Sequence, residues 1–185
     1  PQLISARDQG LPIIYGSHDK DLSQLKGELN TAHIVVDAVL GTGNVRPIAG
    51  QLKDILLEVM ETKVRRSDMK ILAVDVPTGV NADTGATDPA CLSAGVTVAL
   101  GYPKIGLFAF PGAAKVGDLE VVRIGIPSGL DEDLGTELMT PYWAKSALPQ
   151  RAYDAHKGSF GRTLVVAGSK KYVGAAYLAA NAASR

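Results

Sequence analysis

Asp37 and the two glycines that follow it, Gly41 and Gly43, form a segment whose residue types could bind a ligand. The carboxylate ends an apolar run, residues 33–36, and the glycines open a polar loop. Glycines let the backbone approach a ligand closely, and free N–H groups at a helix start attract phosphate. The spacing is not the dinucleotide fingerprint Gly-x-Gly-x-x-Gly, because Arg46 replaces its third glycine. The segment therefore predicts either an anion-binding loop or an ordinary turn between a strand and a helix.

A second carboxylate, Asp75, also ends an apolar run, and it is followed by Thr78 in a glycine-containing polar loop. Two parallel strands that both end in Asp would bring two carboxylates to one edge of a sheet. There a cation must screen the charges, or one carboxyl must hold a proton at a raised pKa. The Thr78 hydroxyl offers an oxygen ligand of the kind that hard cations bind. For Asn81 and Asp83 we expect only a role in turns.

Lys104 follows the next apolar run and should lie near the same edge of the sheet. Its ammonium group could neutralise a phosphate or a carboxylate, although a solvated surface lysine would have the same pattern. Farther along, His156 and Lys157 precede another apolar run. This pair could bind an anion, or it could belong to a polar linker.

Strands and helices must alternate to place these residues at one edge. Strands are predicted at residues 11–15, 34–38, 70–76, 94–100 and 119–124, and helices at residues 19–29 and 48–61. Continuous Val, Ile and Leu runs are typical of strands covered on both faces, and strand–helix alternation indicates a parallel sheet. We therefore expect an α/β fold, a Rossmann-like parallel sheet with helices on both faces.

The pattern loosens after residue 126. Thr140 and Pro141 have the types of an N-cap and a first helical residue, which predicts a short helix through residue 148. A further strand–helix unit follows it. We place a domain boundary near Thr140. The predicted organisation is a first domain at 1–130, a linker with a short helix at 131–150, and the start of a second domain at 151–185. Within this second domain we predict a strand at 163–167 and a helix at 174–183.

Composition excludes several classes of protein. The formal net charge is zero, so no basic patch indicates nucleic-acid binding, and no apolar run approaches the roughly 18 residues that span a membrane. The one cysteine, Cys91, excludes an internal disulfide and is typical of a reducing compartment, so we expect a cytoplasmic location. No His is near Cys91 in sequence, and we expect it to pack in the core. His18 and His33 lack metal-ligand spacing.

Taken together, these segments resemble two known families. Residues 37–43, 75–85, 103–107 and 125–127 are similar to the YjeF N-terminal domain, an NAD(P)H-hydrate epimerase. They read Asp-Ala-Val-Leu-Gly-Thr-Gly, Asp-Val-Pro-Thr-Gly-Val-Asn-Ala-Asp-Thr-Gly, Pro-Lys-Ile-Gly-Leu and Gly-Ile-Pro. Residues 155–162, 165–169 and 172–176 resemble the opening of ADP-dependent NAD(P)H-hydrate dehydratase, which has a ribokinase-like fold. Many bacterial proteins fuse the two families in this order.

The resemblance implies roles for individual residues. Asp37 and Thr78 match the potassium ligands of the epimerase family, in which Ser is more common at the second position. Asp75 matches a carboxylate that contacts substrate, and it is the best candidate for a general acid or base, with Lys104 as a second catalytic candidate. The residues that match the phosphate-binding loop are Gly41, Thr42, Gly43, Asn44, Val45, Arg46 and Pro47. Ala175 lies close to the segment that contacts the hydrated nucleotide in the dehydratase family.

The implied function is nicotinamide nucleotide repair. The first domain would interconvert the R and S forms of NADH or NADPH hydrated at C6, and the dehydratase would remove water from the S form with ADP or ATP. The implied cofactors are thus a potassium ion and ADP or ATP, and the implied partner is the small-molecule hydrate. Two alternatives stay open: a non-catalytic nucleotide-binding scaffold, and a ribokinase-like small-molecule kinase.

Two family segments do not occur in the sequence. The Asn-Gly-Gly-Asp-Gly loop of the epimerase would precede Pro1, and the Gly-x-Gly-Asp segment of the dehydratase would follow Arg185. We therefore expect a fragment with an incomplete epimerase site and no dehydratase activity of its own. The sequence leaves homo-oligomerisation open.

Overall fold

The structure is a computed structural model that describes residues 2–43, 46–127, 129–130, 132–150, 152–156 and 158–184. The chain divides into two compact units, Pro1–Asp131 and Glu132–Arg185. In the described part of the chain, no helix is both long and apolar enough to cross a membrane.

The first unit is built on one sheet of four parallel strands, in the order β1-β2-β3-β4. This arrangement confirms the predicted parallel α/β fold. Its elements are α1 (Gln2–Asp8), α2 (Ser23–Thr31), β1 (Ile34–Asp37), α3 (Gly50–Arg65), β2 (Lys70–Val74), β3 (Val96–Leu100), α4 (Ala113–Val116) and β4 (Asp118–Val122), with 3-10 turns at Gly16–His18 and Ile105–Leu107.

The core of this unit lies on one face of the sheet. Leu56 and Val59 of α3 pack in one cluster with Ile71 and Ala73 of β2. A second cluster on the same face joins Ala99 of β3 to residues of the 3-10 turn and α4. Because alternate residues of a strand point to opposite faces, this face takes every second side chain of each strand.

The prediction of helices on both faces is wrong for the described residues. The opposite face carries the other apolar side chains of the same strands, and on the edge strand β1 Ile34 and Val36 are 60% and 58% exposed. A continuous apolar run supplies two apolar faces to a sheet. It does not by itself supply a second layer of helices, and within the described residues none packs there.

Two predicted strands do not form, and the four that do form have ends that differ from the predicted ones by one or two residues. Residues 11–15 and 163–167 form no strand, because an extended segment becomes part of a sheet only when a neighbouring strand accepts its hydrogen bonds. Strand β2 ends at Val74 rather than at Val76. The reason is local: Asp75 has φ of 71°, and the N–H of Val76 donates to the carbonyl of Val74 at 2.9 Å.

The side chain of Asp19 lies at the start of helix α2, and this residue is 2% exposed. Its carboxylate accepts hydrogen bonds from the backbone N–H groups of Gln24 and Leu25 at 3.0 and 2.9 Å. These groups are among the first N–H groups of the helix, which have no acceptor within it. Asp19 therefore acts as the N-terminal cap, although Leu22 occupies the capping position of the backbone.

The described residues of the second unit form two helices, α5 (Pro141–Ala147) and α6 (Gly174–Ala183). The predicted start of α5 is confirmed, since the hydroxyl of Thr140 accepts a hydrogen bond from the backbone N–H of Trp143 at 3.0 Å. None of the described residues of this unit is buried. These described residues therefore do not show the packing of a ribokinase-like domain.

Candidate active site

Asp37 and Thr78 meet at the carboxyl ends of β1 and β2. The backbone N–H of Thr78 donates to Oδ2 of Asp37 at 2.8 Å, and its hydroxyl donates to Oδ1 at 2.6 Å. Asp37 is 2% exposed and Thr78 is 0% exposed. No Lys or Arg within the described ranges forms an ion pair with Asp37. The structure thus holds a buried carboxylate whose two neutral donors come from one residue.

Hydrogen bonds on both sides of the polar loop at residues 41–47 join it to the connection between β2 and β3. Before the loop, the N–H of Leu40 donates to the hydroxyl of Thr78 at 3.1 Å. After it, the N–H of Ile48 donates to the carboxylate of Asp88 at 2.9 Å. Two residues of the same connection therefore hold the two ends of the loop.

A cavity of about 330 Å³ opens between this loop and that connection. Its volume is at the small end of the range for ligand pockets, roughly 300–1,000 Å³. The lining residues come from three stretches: Leu40, Gly41, Arg46, Pro47 and Ile48; Gly79, Val80 and Asn81; and Ala86, Thr87, Asp88 and Pro89.

Asp75 and Lys104 form an ion pair at the neighbouring strand ends, and each side chain is 21% exposed. The ammonium group of Lys104 also donates to the carbonyl of Leu100 at 3.1 Å. The N–H of Leu100 in turn donates to the Asp75 carboxylate at 3.1 Å. The positive φ of Asp75 places it in a conformation that L residues rarely adopt. Such backbone outliers concentrate at functional sites.

The wall of the cavity at residues 79–89 rests on an unusually close backbone contact. The N–H of Gly106 donates to the carbonyl of Ala82 at 2.7 Å, and the N–H of Gly112 donates to the carbonyl of Gly85 at 2.7 Å. A Cβ at Gly106 would collide with the carbonyl of Asn81. Only glycine lets these two chain segments approach so closely.

Cys91 is buried next to this wall, as the sequence predicts, and is 1% exposed. A Cβ built on Gly79 would lie 2.9 Å from its Cβ. Burial raises the pKa of the Cys91 thiol to about 11, and the nearby carboxylates of Asp37 and Asp88 add to the rise while Lys115 opposes it. The thiol is therefore a neutral packing group at physiological pH.

The structure separates the predicted site residues into several groups. Gly41, Arg46 and Pro47 line the cavity. Thr42 and Gly43 belong to the same loop, and Asn44 and Val45 lie outside the described residues. Asp37 pairs with Thr78 and Asp75 pairs with Lys104, so the two carboxylates do not share one partner. Ala175 is exposed in the first turn of α6, in the second unit.

Sequence reasoning missed Asp88. It stands in a Thr-Asp-Pro stretch that has the composition of a turn, and no apolar strand precedes it. The residue type gave one indication, because Asp side chains in such turns often accept hydrogen bonds from backbone N–H groups. The sequence does not say which distant N–H it accepts from.

The fold and site define a class of protein: an α/β domain with a ligand-sized cavity outside the carboxyl ends of parallel strands, where such domains bind small molecules. Within that class, the chain belongs to the family described as YjeF-related protein N-terminus, which matches residues 2–106.

Two similar proteins carry the same name, "Bifunctional NAD(P)H-hydrate repair enzyme Nnr". The protein of Moorella thermoacetica is 40% identical over 154 residues, which cover 82% of this chain and 28% of that protein. The protein of Thermofilum pendens is 40% identical over 156 residues, which cover 83% of this chain and 28% of that protein. The chain therefore spans little more than a quarter of the length of these relatives.

A solved structure shares the fold. The crystal structure of yeast ynu0, YNL200c, has a TM-score of 0.50 and 19% sequence identity. The match covers 83% of this chain and 56% of the yeast chain. At this identity the likeness concerns the fold alone.

Proposed function

We propose that this protein interconverts the R and S epimers of NAD(P)H hydrate, that is, NADH or NADPH with water added at C6 of the nicotinamide ring. The observation that carries the proposal is the cavity beside the loop at residues 41–47, with the Asp75–Lys104 pair at the adjoining strand ends. The name of the relatives supports it, since they are called NAD(P)H-hydrate repair enzymes. The same names give no support to a non-catalytic scaffold or a small-molecule kinase.

The proposed reaction needs one proton to move and then return. The hydroxyl at C6 takes a proton and leaves as water, and the lone pair of the ring nitrogen forms a double bond to C6. Water then adds from the other face of the ring, and its proton goes back to the protein. No atom or electron is consumed. A positioned acid–base group typically accelerates such a step by about 10²–10⁴-fold.

Asp75 and Lys104 are the groups that we assign to this proton transfer. Across the ion pair the ammonium group of Lys104 donates a hydrogen bond to the carboxylate of Asp75, so the pair contains both a proton donor and a proton acceptor. The contacts of both side chains with the backbone of Leu100 hold them in place at the end of β3. A group whose partners are fixed in this way meets the main requirement for acid–base catalysis, which is geometry.

The loop at residues 41–47 is the proposed site for the diphosphate of the nucleotide. Its backbone N–H groups and the guanidinium of Arg46 are the types of donor that phosphate oxygens accept from. A Gly-rich loop between a strand and a helix gives those N–H groups the freedom to face an anion. Substrate would thus enter the cavity with its phosphates against this loop.

A potassium ion fits the donor set of Asp37 and Thr78, which we propose as its ligands. Both side chains offer oxygen atoms, which hard cations prefer, and Asp37 is a buried carboxylate that pairs with no Lys or Arg in the described ranges. A buried charge is costly unless an opposite charge or enough donors offset it. A bound potassium ion would supply positive charge near the diphosphate.

We further propose that the epimerase works together with an ADP- or ATP-dependent dehydratase that converts the S hydrate to NADH or NADPH. The organisation would be an epimerase domain at residues 1–130, a linker at 131–150 and the start of the dehydratase at 151–185. The word "bifunctional" in the name of the relatives supports this coupling. Ala175, in the first turn of α6, would lie close to the segment of the dehydratase that contacts the hydrated nucleotide.

The epimerase proposal is tested with pure R NADPH hydrate and the intact protein. Formation of the S epimer, followed by chromatography, should exceed the spontaneous rate. Asp75→Asn should lower the rate by at least about 10²-fold, because the amide cannot exchange the proton. Asp83→Asn is the matched control, an exposed aspartate of the same connection whose backbone contact is retained. A wild-type rate equal to the spontaneous rate would contradict the proposed activity.

A further inference from the structure

Asp88 is a carboxylate of the cavity wall to which the proposed reaction gives no role. Its Oδ2 accepts a hydrogen bond from the N–H of Ile48 at 2.9 Å, and its Oδ1 accepts one from the N–H of Ala90 at 2.8 Å. Its own N–H donates to the carbonyl of Gly79 at 2.8 Å. Both oxygens and the backbone are therefore engaged, and the side chain is held from both sides.

The contact with Ile48 joins segments that are 40 residues apart in the chain. Ile48 directly follows the loop at residues 41–47 and precedes helix α3. At the other end of the loop, Leu40 is held by Thr78. Without Asp88 the loop would keep this first anchor and lose the second.

We propose that Asp88 is a positioning residue for nucleotide binding, which fixes the backbone of Ile48 at the cavity, where the proposed phosphate loop ends; this inference rests on the proposed function. A binding site whose backbone is already anchored loses less conformational entropy when a ligand binds, so the affinity for the ligand is higher. The two N–H donors also explain how a carboxylate is tolerated in a cavity for an anion. Hydrogen bonds from backbone N–H groups stabilise it without a cation.

The role predicts an effect on binding rather than on the chemical step. Asp88→Ala removes the anchor and should raise both KM and the Kd for NADPH hydrate by about tenfold, with kcat changed by no more than about twofold. Asp88→Asn keeps one acceptor oxygen and should lie between the wild type and Asp88→Ala. Binding is measured by titration calorimetry, and KM and kcat by the epimerase assay.

Asp19→Ala is the matched control. Asp19 is also a carboxylate that accepts two backbone N–H groups, but it does so at the start of α2 and does not line the cavity. This variant should unfold at a lower urea concentration with KM and Kd unchanged. If Asp88→Ala lowers stability in the same way and leaves KM and Kd at their wild-type values, Asp88 is purely structural and the inference is wrong.

The two readouts separate this inference from the proposed activity. If the wild type binds NADPH hydrate without epimerising it, the proposed activity fails. The Kd series of the Asp88 variants then still decides the positioning role. If the wild type does both and Asp88→Asn partly restores the affinity lost in Asp88→Ala, both proposals are supported.

Discussion

Thr78 donates two hydrogen bonds to Asp37, one from its backbone N–H at 2.8 Å and one from its hydroxyl at 2.6 Å. The two residues are 41 positions apart in the chain. Their contact joins the end of β1 to the connection that follows β2, and the same hydroxyl accepts from the N–H of Leu40. One side chain therefore links a buried carboxylate to the start of the proposed phosphate loop.

Thr78→Val should destabilise the first unit and weaken ligand binding. Val keeps the shape of Thr but leaves the N–H of Leu40 and Oδ1 of Asp37 without this partner, which costs about 1–3 kcal/mol. Thr78→Ser is the control, since it keeps the hydroxyl and loses one methyl group, worth roughly 0.8 kcal/mol. Urea unfolding measures both variants. A Val variant as stable as the wild type would show that the hydroxyl contributes nothing.

Gly106→Ala should destabilise the cavity wall. The new Cβ would collide with the carbonyl of Asn81 and lie 2.8 Å from the carbonyl carbon of Ala82, and backbone atoms cannot move aside cheaply. Overpacking of this kind costs typically about 1–3 kcal/mol.

Gly27→Ala is the control for Gly106→Ala, because it lies in α2 with open space around it. Ala favours a helix over Gly by up to about 1 kcal/mol, so this variant should gain stability. Chemical denaturation should therefore show shifts of opposite sign. Shifts of the same sign would contradict the close approach at Gly106.

Asp19 should make stability depend on pH in the acid range. Burial raises the pKa of this carboxyl, but the N–H groups of Leu25 and Gln24 and the hydroxyl of Ser23 outweigh that effect, so its pKa is lower than usual. The folded state therefore favours the ionised form. The stabilisation is complete above the pKa of the unfolded chain, about 4, and is lost as the pH falls through the folded-state pKa.

The measurement is the difference in unfolding free energy between the wild type and Asp19→Ala at a series of pH values. We expect a constant difference from neutral pH down to about 5, and a smaller one below about 4. The exposed Asp83 serves as the reference, and Asp83→Asn should follow the wild type throughout. A difference that grows on acidification would reverse the assigned sign.

Cys91 should be inert towards thiol reagents in the folded protein. Its thiol is 1% exposed, and burial raises its pKa to about 11, so both the access and the thiolate that such reagents need are missing. Labelling with a disulfide reagent at pH 8 should proceed only at the rate of unfolding and become immediate in concentrated urea. Rapid labelling of the native protein would contradict the burial.

Much of the fold follows from local patterns. The runs at residues 34–38, 70–76 and 94–100 predict three strands of the sheet with ends within two residues, because a chain of Val, Ile and Leu satisfies extended geometry and burial together. The Thr140 cap and helix α6 are likewise predicted, since both depend on neighbouring residues alone. The strand expected at residues 163–167 is absent because strand formation requires a partner.

In the candidate site, too, some features follow from the local sequence and others only from the tertiary structure. The sequence by itself determined which residues end the strands, namely Asp37 and Asp75, and where the glycine loop begins, because these are properties of a few adjacent residues. Only the tertiary structure decided that Thr78 holds Asp37, that Lys104 pairs with Asp75, and that helices pack on one face of the sheet. It also revealed Asp88 as the second anchor of the loop. Such contacts join residues tens of positions apart, so they depend on the register of the parallel strands and on the path of the connections, which local periodicity does not encode.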